Sequence, residues 1–247
     1  DEEMYEAFLY NLQVRYALGY DEFGKGHFDL RTLYYFRERL SRYMQEKGVN
    51  LLDRAFEQVT DEQLTAFQLK TGIQRMDSTM VGSNIRQVGR LQLMVEVLQR
   101  VQRMLSASDG THYSEAFAPY LQGHAGQYVL HLKREEFPGH IQRIGEFMQR
   151  LLGELKEGYR ENPVYLVLER VFNEHFKLEG AMAKAKTGRE LSATSLQSPD
   201  DLEATFRHKS GKNYRGYVAN LTETCDPKNA LQLITKVQVA PNHTADS

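Results

Sequence analysis

A chain of 247 residues with a formal net charge of −2 is long enough to bury a core, as one large domain or two modest ones, and it is no polycation. Any hold on nucleic acid must therefore come from local basic patches. Cys225 is the single cysteine, which excludes an internal disulfide; no run approaches the ~18 apolar residues of a bilayer span, and no charged-then-apolar leader opens the chain, so the expectation is a cytoplasmic protein.

The first segment reads as helix. Tyr5, Phe8, Leu9, Leu12, Tyr16 and Leu18 recur at three- and four-residue steps. Gly24 and Gly26 interrupt the pattern, and the "GKG" they frame lacks the spacing and the Lys-Ser/Thr ending of a phosphate loop. The next run starts at Asp29 as N-cap and stops at Gly48 as the residue past the last turn. Thr60-Asp61-Glu62-Gln63 has the form of a capping box and predicts another helix start. Together these predict a small helical domain over 1–65, with Arg31, Arg37, Arg39 and Arg42 giving it basic character suited to binding DNA.

Residues 68–79 read as one or two strand segments with Asp77 near the end. From Asn84 to about Lys186 the period is helical again. Ile85, Val88, Leu91, Val95, Leu98, Val101 and Leu105 form one face, with Arg86, Arg90, Arg100 and Arg103 on a broad opposite side that reads as solvated. Pro163 sits well for a first helical turn. Beyond Glu190 the texture is β: strands are expected near 204–209, 214–224 and 231–240, with "SGKN" and "CDPKNA" as turns. Ser198-Pro199-Asp200-Asp201 reads as a helix start, with Ser198 as cap and the acids beside the helix dipole.

Chemistry-bearing residues are few. An aspartate at the tip of a core strand is a candidate ligand for a divalent cation, which takes oxygen donors, and two such ions can clamp the attacking and leaving oxygens of a phosphodiester exchange. On spacing alone Asp77 reads first as a helix-cap or turn residue, since Asp-Ser-Thr is common turn composition. Arg207, His208, Lys209, Lys212 and Arg215 cluster around the Ser210-Gly211 turn, where a basic tip can hold phosphates or simply be solvated. His112, His124, His131, His140, His175, His208 and His243 show no zinc spacing, and "NEHF" lacks the second histidine of a zinc-protease motif.

"RMDSTMVGSNI", a long helical block, and then "SLQSPDDLEATFRHKSGKNYRGYVANLTETCDPKNALQLITKVQVAPNHTADS" resemble the DDE transposases of bacterial insertion sequences, and "YEAFLYNLQVRYALGY" with "LRTLYYFRERL" resembles their N-terminal helical domain. The resemblance runs along essentially the whole chain. It is most specific at Asp77-Ser78-Thr79 and along Lys212 to Tyr217. It implies a mixed, helix-rich α/β protein: a helical domain over 1–65 and a ribonuclease H-like core over 66–247, with a helical insertion at about 84–190. It implies magnesium or manganese as cofactor, with Asp77 as the first of three catalytic metal-binding acids, and DNA strand cleavage and transfer as the reaction. The partners implied are transposon ends and target DNA, bound by a homo-oligomer in the bacterial cytoplasm near the nucleoid. Arg207, Lys209, Lys212 and Arg215 are the expected DNA contacts.

The second and third acids of the family pattern are not present, and Asp246 reads as a cap or loop residue rather than a ligand. With Asp1 at one end and Ala245-Asp246-Ser247 at the other, the chain reads as a fragment of a longer frame. The alternative is a truncated or decayed, non-catalytic DNA-binding remnant.

Overall fold

The computed structural model describes residues 2–20, 22, 26–83 and 89–244. Predictions that fall on Gly24, Ile85, Arg86, Val88 and Asp246 lie outside these residues. The chain forms two compact units, one of residues 1–74 with 223–235 and one of residues 75–222 with 236–247. Helix and sheet are mixed, and no helix among the described residues is long and apolar enough to cross a membrane.

The first unit holds helices α1 (Glu2–Tyr10), α2 (Leu12–Ala17), α3 (Leu30–Lys47) and α4 (Leu51–Ala66). Its starts follow local chemistry. Asn11 caps α2 by accepting from the amides of Gln13 and Val14, and Asp29 caps α3 by accepting from Arg31 N at 2.8 Å. Gly48 ends α3 in the left-handed conformation, at φ 62°. Phe8 is fully buried, stacked 4.3 Å from the Phe28 ring, with Tyr20 edge-on at 5.1 Å and the Arg15 guanidinium 4.8 Å from its centroid.

Thr60 does not start a helix. Asn50 has already capped α4 through Leu52 N and Asp53 N, and the helix runs on to Ala66. Inside a running helix the amides are bonded four residues back, so a capping-box sequence has no orphan donor to satisfy. The expected strand over 68–79 also begins later. Gln68 takes a positive φ of 50° as α4 closes, and the strand starts at Gln74. The segment 223–235 joins this unit through Asn229, whose side chain accepts from Lys70 N at 2.8 Å and donates to Lys70 O at 3.0 Å.

The second unit carries β1 (Gln74–Gly82) and then a helical block: α5 (Arg90–Met104), α6 (Ala107–His112), α7 (Ser114–Phe117), α8 (Ala125–Leu130), α9 (Phe137–Glu154), α10 (Lys156–Tyr159) and α11 (Pro163–His175). Leu91, Val95, Leu98 and Val101 of α5 face into one core with Ile144, Met148 and Leu151 of α9 and Leu168 and Val171 of α11. Pro163 opens α11, as expected, behind the Asn162 cap.

The helical period does not persist to Lys186. α11 stops at His175, and β2 (Phe176–Glu179) and β3 (Met182–Ala185) form an antiparallel hairpin about Gly180, at φ 64°. The cause lies in α9. Gln142 donates to Ala183 O at 2.7 Å and accepts from Ala185 N at 3.2 Å; Gln149 donates to Ala181 O at 2.8 Å and accepts from Ala183 N at 2.9 Å. These two side-chain amides act as a partner strand for β3, satisfying backbone groups that would otherwise be orphaned. Between them on the same face, Gly145 admits the Phe176 ring, which would stand 2.2 Å from any Cβ placed there.

After the block come β4 (Thr205–Lys209), β5 (Lys212–Thr224) and β6 (Ile234–Pro241), close to the expected spans. The sheet order is β1-β5-β4, and β6 also pairs with β5. The turn expected at Ser210-Gly211 is present, with φ of 52° and 76°.

Candidate functional site

β1 places Asp77 fourth in a nine-residue strand that runs on to Gly82, not at the strand's end. Ser78 and Met80 are half-buried while Asp77 and Thr79 are exposed, the alternation of a strand with one covered face. The Asp77 carboxylate accepts from the neighbouring Ser78 amide at 2.8 Å. Ser78 turns inward, and its hydroxyl donates at 2.8 Å to Oδ1 of Asn220, a nearly buried residue of β5. In this motif Ser78 binds the sheet together and Asp77 faces outward.

Where β1 ends, the chain is held by a carboxylate that sequence reasoning placed in a helix cap. Ser198-Pro199-Asp200-Asp201 forms no helix. Ser198 Oγ accepts from Asp200 N at 3.2 Å, and Asp201 accepts from Glu203 N and Ala204 N at 3.2 and 3.0 Å, which closes a turn. The same Asp201 accepts the Ser83 hydroxyl and, at 2.6 Å, the Tyr217 hydroxyl of β5. Burial pushes the Asp201 carboxyl up, but the hydrogen bonds from Ser83, Tyr217 and the two amides outweigh it and hold the group below its ordinary value. Burial and the Asp201 charge raise the Tyr217 phenol. Asp200 meets Arg100 at 2.5 Å, and Arg100 also donates to Pro199 O at 3.0 Å.

Two of the α5 arginines read as solvated are therefore structural ties. Arg100 anchors the Asp200 turn, and Arg90 donates to Lys186 O at 2.6 Å and His175 O at 2.7 Å, closing the base of the β2–β3 hairpin. Arg103 is exposed, as expected.

The register of the β4–β5 hairpin separates the four predicted DNA contacts. Lys209 lies opposite Lys212 and Arg207 opposite Tyr214, which puts Arg207, Lys209 and Lys212 on one face. Phe206 lies opposite Arg215, and these two belong to the other face, where both line a cavity. Lys209 and Lys212 are exposed at the tip. Arg207 is half-buried and donates to Asn242 O and Thr244 O at 3.2 and 3.3 Å. The tip thus offers a lysine pair beside the left-handed Ser210-Gly211 turn, a geometry that can hold phosphate oxygens and reads no base.

Gly216 decides how β5 meets β1. Its φ is 136°, and a Cβ there would lie 2.4 Å from Ser83 N and 2.5 Å from Val81 O. Ser83 N donates to Arg215 O at 3.1 Å beside it. Only glycine combines that conformation with so close a backbone approach.

Among the described residues no group of three or more His, Cys, Asp or Glu is arranged to hold a metal ion. The chain matches no family model, no curated protein and no solved structure.

Proposed function

We propose that this chain is a DNA-binding portion of an insertion-sequence transposase with an interrupted ribonuclease H-like core, in which the β4–β5 tip holds DNA phosphates. The observation that carries the reading is the chain order. A strand bearing Asp77 pairs in one sheet with β5, while the whole helical block lies between the two in sequence. This is the arrangement expected of such a core with an insertion after its first strand. The exposed Lys209–Lys212 pair supports the DNA part.

The residues present do not fit the magnesium or manganese that the resemblance implies. Asp77 contributes a lone outward carboxylate, and the described residues hold no cluster of three ligating side chains. One carboxylate alone leaves a hard cation mostly to water. That favours, for the chain as given, a second reading: a non-catalytic DNA-binding remnant. Asp77→Ala is then expected to leave DNA affinity within about twofold of the parent, whereas in a full frame carrying the other acids the same change is expected to abolish strand cleavage and spare binding. Cleavage at the parental rate in the full frame contradicts a catalytic Asp77.

The tip itself is tested by Lys209→Ala/Lys212→Ala. Each lost phosphate contact removes roughly 0.9 from the slope of log affinity against log salt, so the double variant is expected to bind more weakly with a slope shallower by roughly 2. An unchanged slope in a DNA-binding titration removes the tip from the interface.

A further inference from the structure

The second unit contains a cavity of about 410 Å³ on the face of the β4–β5 hairpin that carries Phe206 and Arg215. Its wall brings together buried polar groups whose hydrogen-bonding capacity is unspent. His175 is 3% exposed and Ser195 is 4% exposed; among the described residues neither ring nitrogen of His175 nor the Ser195 hydroxyl has a partner. Arg90 Nε is also buried without one, although the two terminal nitrogens of that guanidinium are engaged. Buried donors and acceptors are nearly always paired, because burying them unpaired costs free energy. Three such groups around one cavity point to something that enters and satisfies them.

The wall is built rather than loose. Ser195 N donates to Ser192 O at 3.1 Å, Gln197 Nε2 donates to Ser195 O at 2.6 Å, and Leu196 N donates to Glu174 Oε2 at 2.7 Å. Arg170 adds a bond to Thr194 O at 3.2 Å. These bonds fix the backbone from Ser192 to Leu196, and the Ser195 hydroxyl is left without a partner among the described residues. Leu93, Leu191, Leu196 and Phe206 supply apolar wall. The charged lining residues are Arg90 and Arg215, with no acidic residue among those described. Burial, with the Arg90 and Lys186 charges, pushes His175 down to about 4, so near neutral pH its imidazole offers one donor and one acceptor.

We propose that this cavity binds a small organic anion, with its acidic head toward Arg90 and Arg215, hydrogen bonds to His175 and Ser195, and an apolar body against Phe206 and the leucines. The site is separate from the lysine tip and does not depend on DNA binding. Its size is that of a pocket for a small metabolite rather than a groove for a polymer.

Benzoate, phenyl phosphate and inorganic phosphate serve as probes, by calorimetry and by the imidazole proton signals of His175 in the intact chain. At least one aryl anion is expected to bind and to shift the His175 signals, and inorganic phosphate is expected to bind at least tenfold more weakly. Benzoate ahead of phenyl phosphate identifies a carboxylate head; the reverse order identifies a phosphate. Ser195→Ala is expected to weaken the better probe about tenfold. Ala193→Trp, at an exposed position on the rim, is expected to abolish binding. Should that variant not fold, Ser195→Ala and the His175 signals carry the test. Absence of binding by both aryl anions, or binding that these substitutions leave unchanged, overturns the proposal. Inorganic phosphate binding as tightly as phenyl phosphate overturns its apolar half.

Discussion

Gly216→Ala is expected to cost about 3 kcal/mol or more of folding stability, from a φ that side chains rarely adopt combined with a Cβ driven into neighbouring backbone. At φ 136° the new methyl group would stand 2.4 Å from Ser83 N and 2.5 Å from Val81 O. Neither neighbour is a side chain that can rotate away. β1 must retreat from β5, which puts the Ser83–Arg215 backbone bond and the Ser83 and Tyr217 bonds to Asp201 at risk together. Gly211→Ala is the control. Gly211 is also left-handed, at φ 76°, but its surroundings are open, so the expected cost is only about 1 kcal/mol. Urea unfolding of the two variants separates the effects. Equal losses would show that β5 does not approach β1 as described.

A second large effect is expected in mild acid. His175 is buried with its ordinary value of 6.5 lowered to about 4, first by burial and then by the charges of Arg90 and Lys186. The unfolded chain takes up the proton near pH 6.5 and the folded chain only near 4, so within that window the unfolded state binds more protons and stability falls as the pH is lowered. The full depression corresponds to roughly 3 kcal/mol, reached by about pH 4. Carboxylates held low, such as Asp201, act in the same direction but at lower pH, as they are protonated below the ordinary carboxylate range. His175→Gln keeps a neutral polar group and is expected to flatten the profile between pH 6.5 and 4 while leaving the steeper fall below it. Parallel profiles for parent and variant would remove His175 as the source.

What the sequence disclosed was mostly local. Asp29, Gly48 and Pro163 mark helix boundaries because a cap or a first turn is decided within a few residues, and the turn residues between two β-rich runs marked the hairpin at Ser210-Gly211 for the same reason. The β2–β3 hairpin stayed hidden because its partners are Gln142 and Gln149, more than thirty residues earlier on α9. Arg90 and Arg100 resembled a solvated face because nothing near them in sequence reveals the carbonyls of His175, Lys186 and Pro199 that they hold.

The site was legible in the same uneven way. Asp77 and the basic cluster stand out by residue type, but only the strand register shows that Arg215 turns away from Lys209 and Lys212 toward a cavity. Asp201 gave a misleading cap signal, since its partners are Ser83, just after β1, and Tyr217, within β5, stretches of chain that no local pattern connects. His175 and Ser195 carry no motif; burial with no partner among the described residues is what singles them out.

The most direct test of the central claim is the affinity of the intact chain for duplex DNA, measured across a range of salt concentrations. The reading proposed here expects binding that weakens steeply as salt rises, with a log–log slope worth at least two phosphate contacts, roughly −2. Absence of binding at low salt would contradict the DNA-binding function and leave the fold with its arginine-lined cavity to be explained by other means.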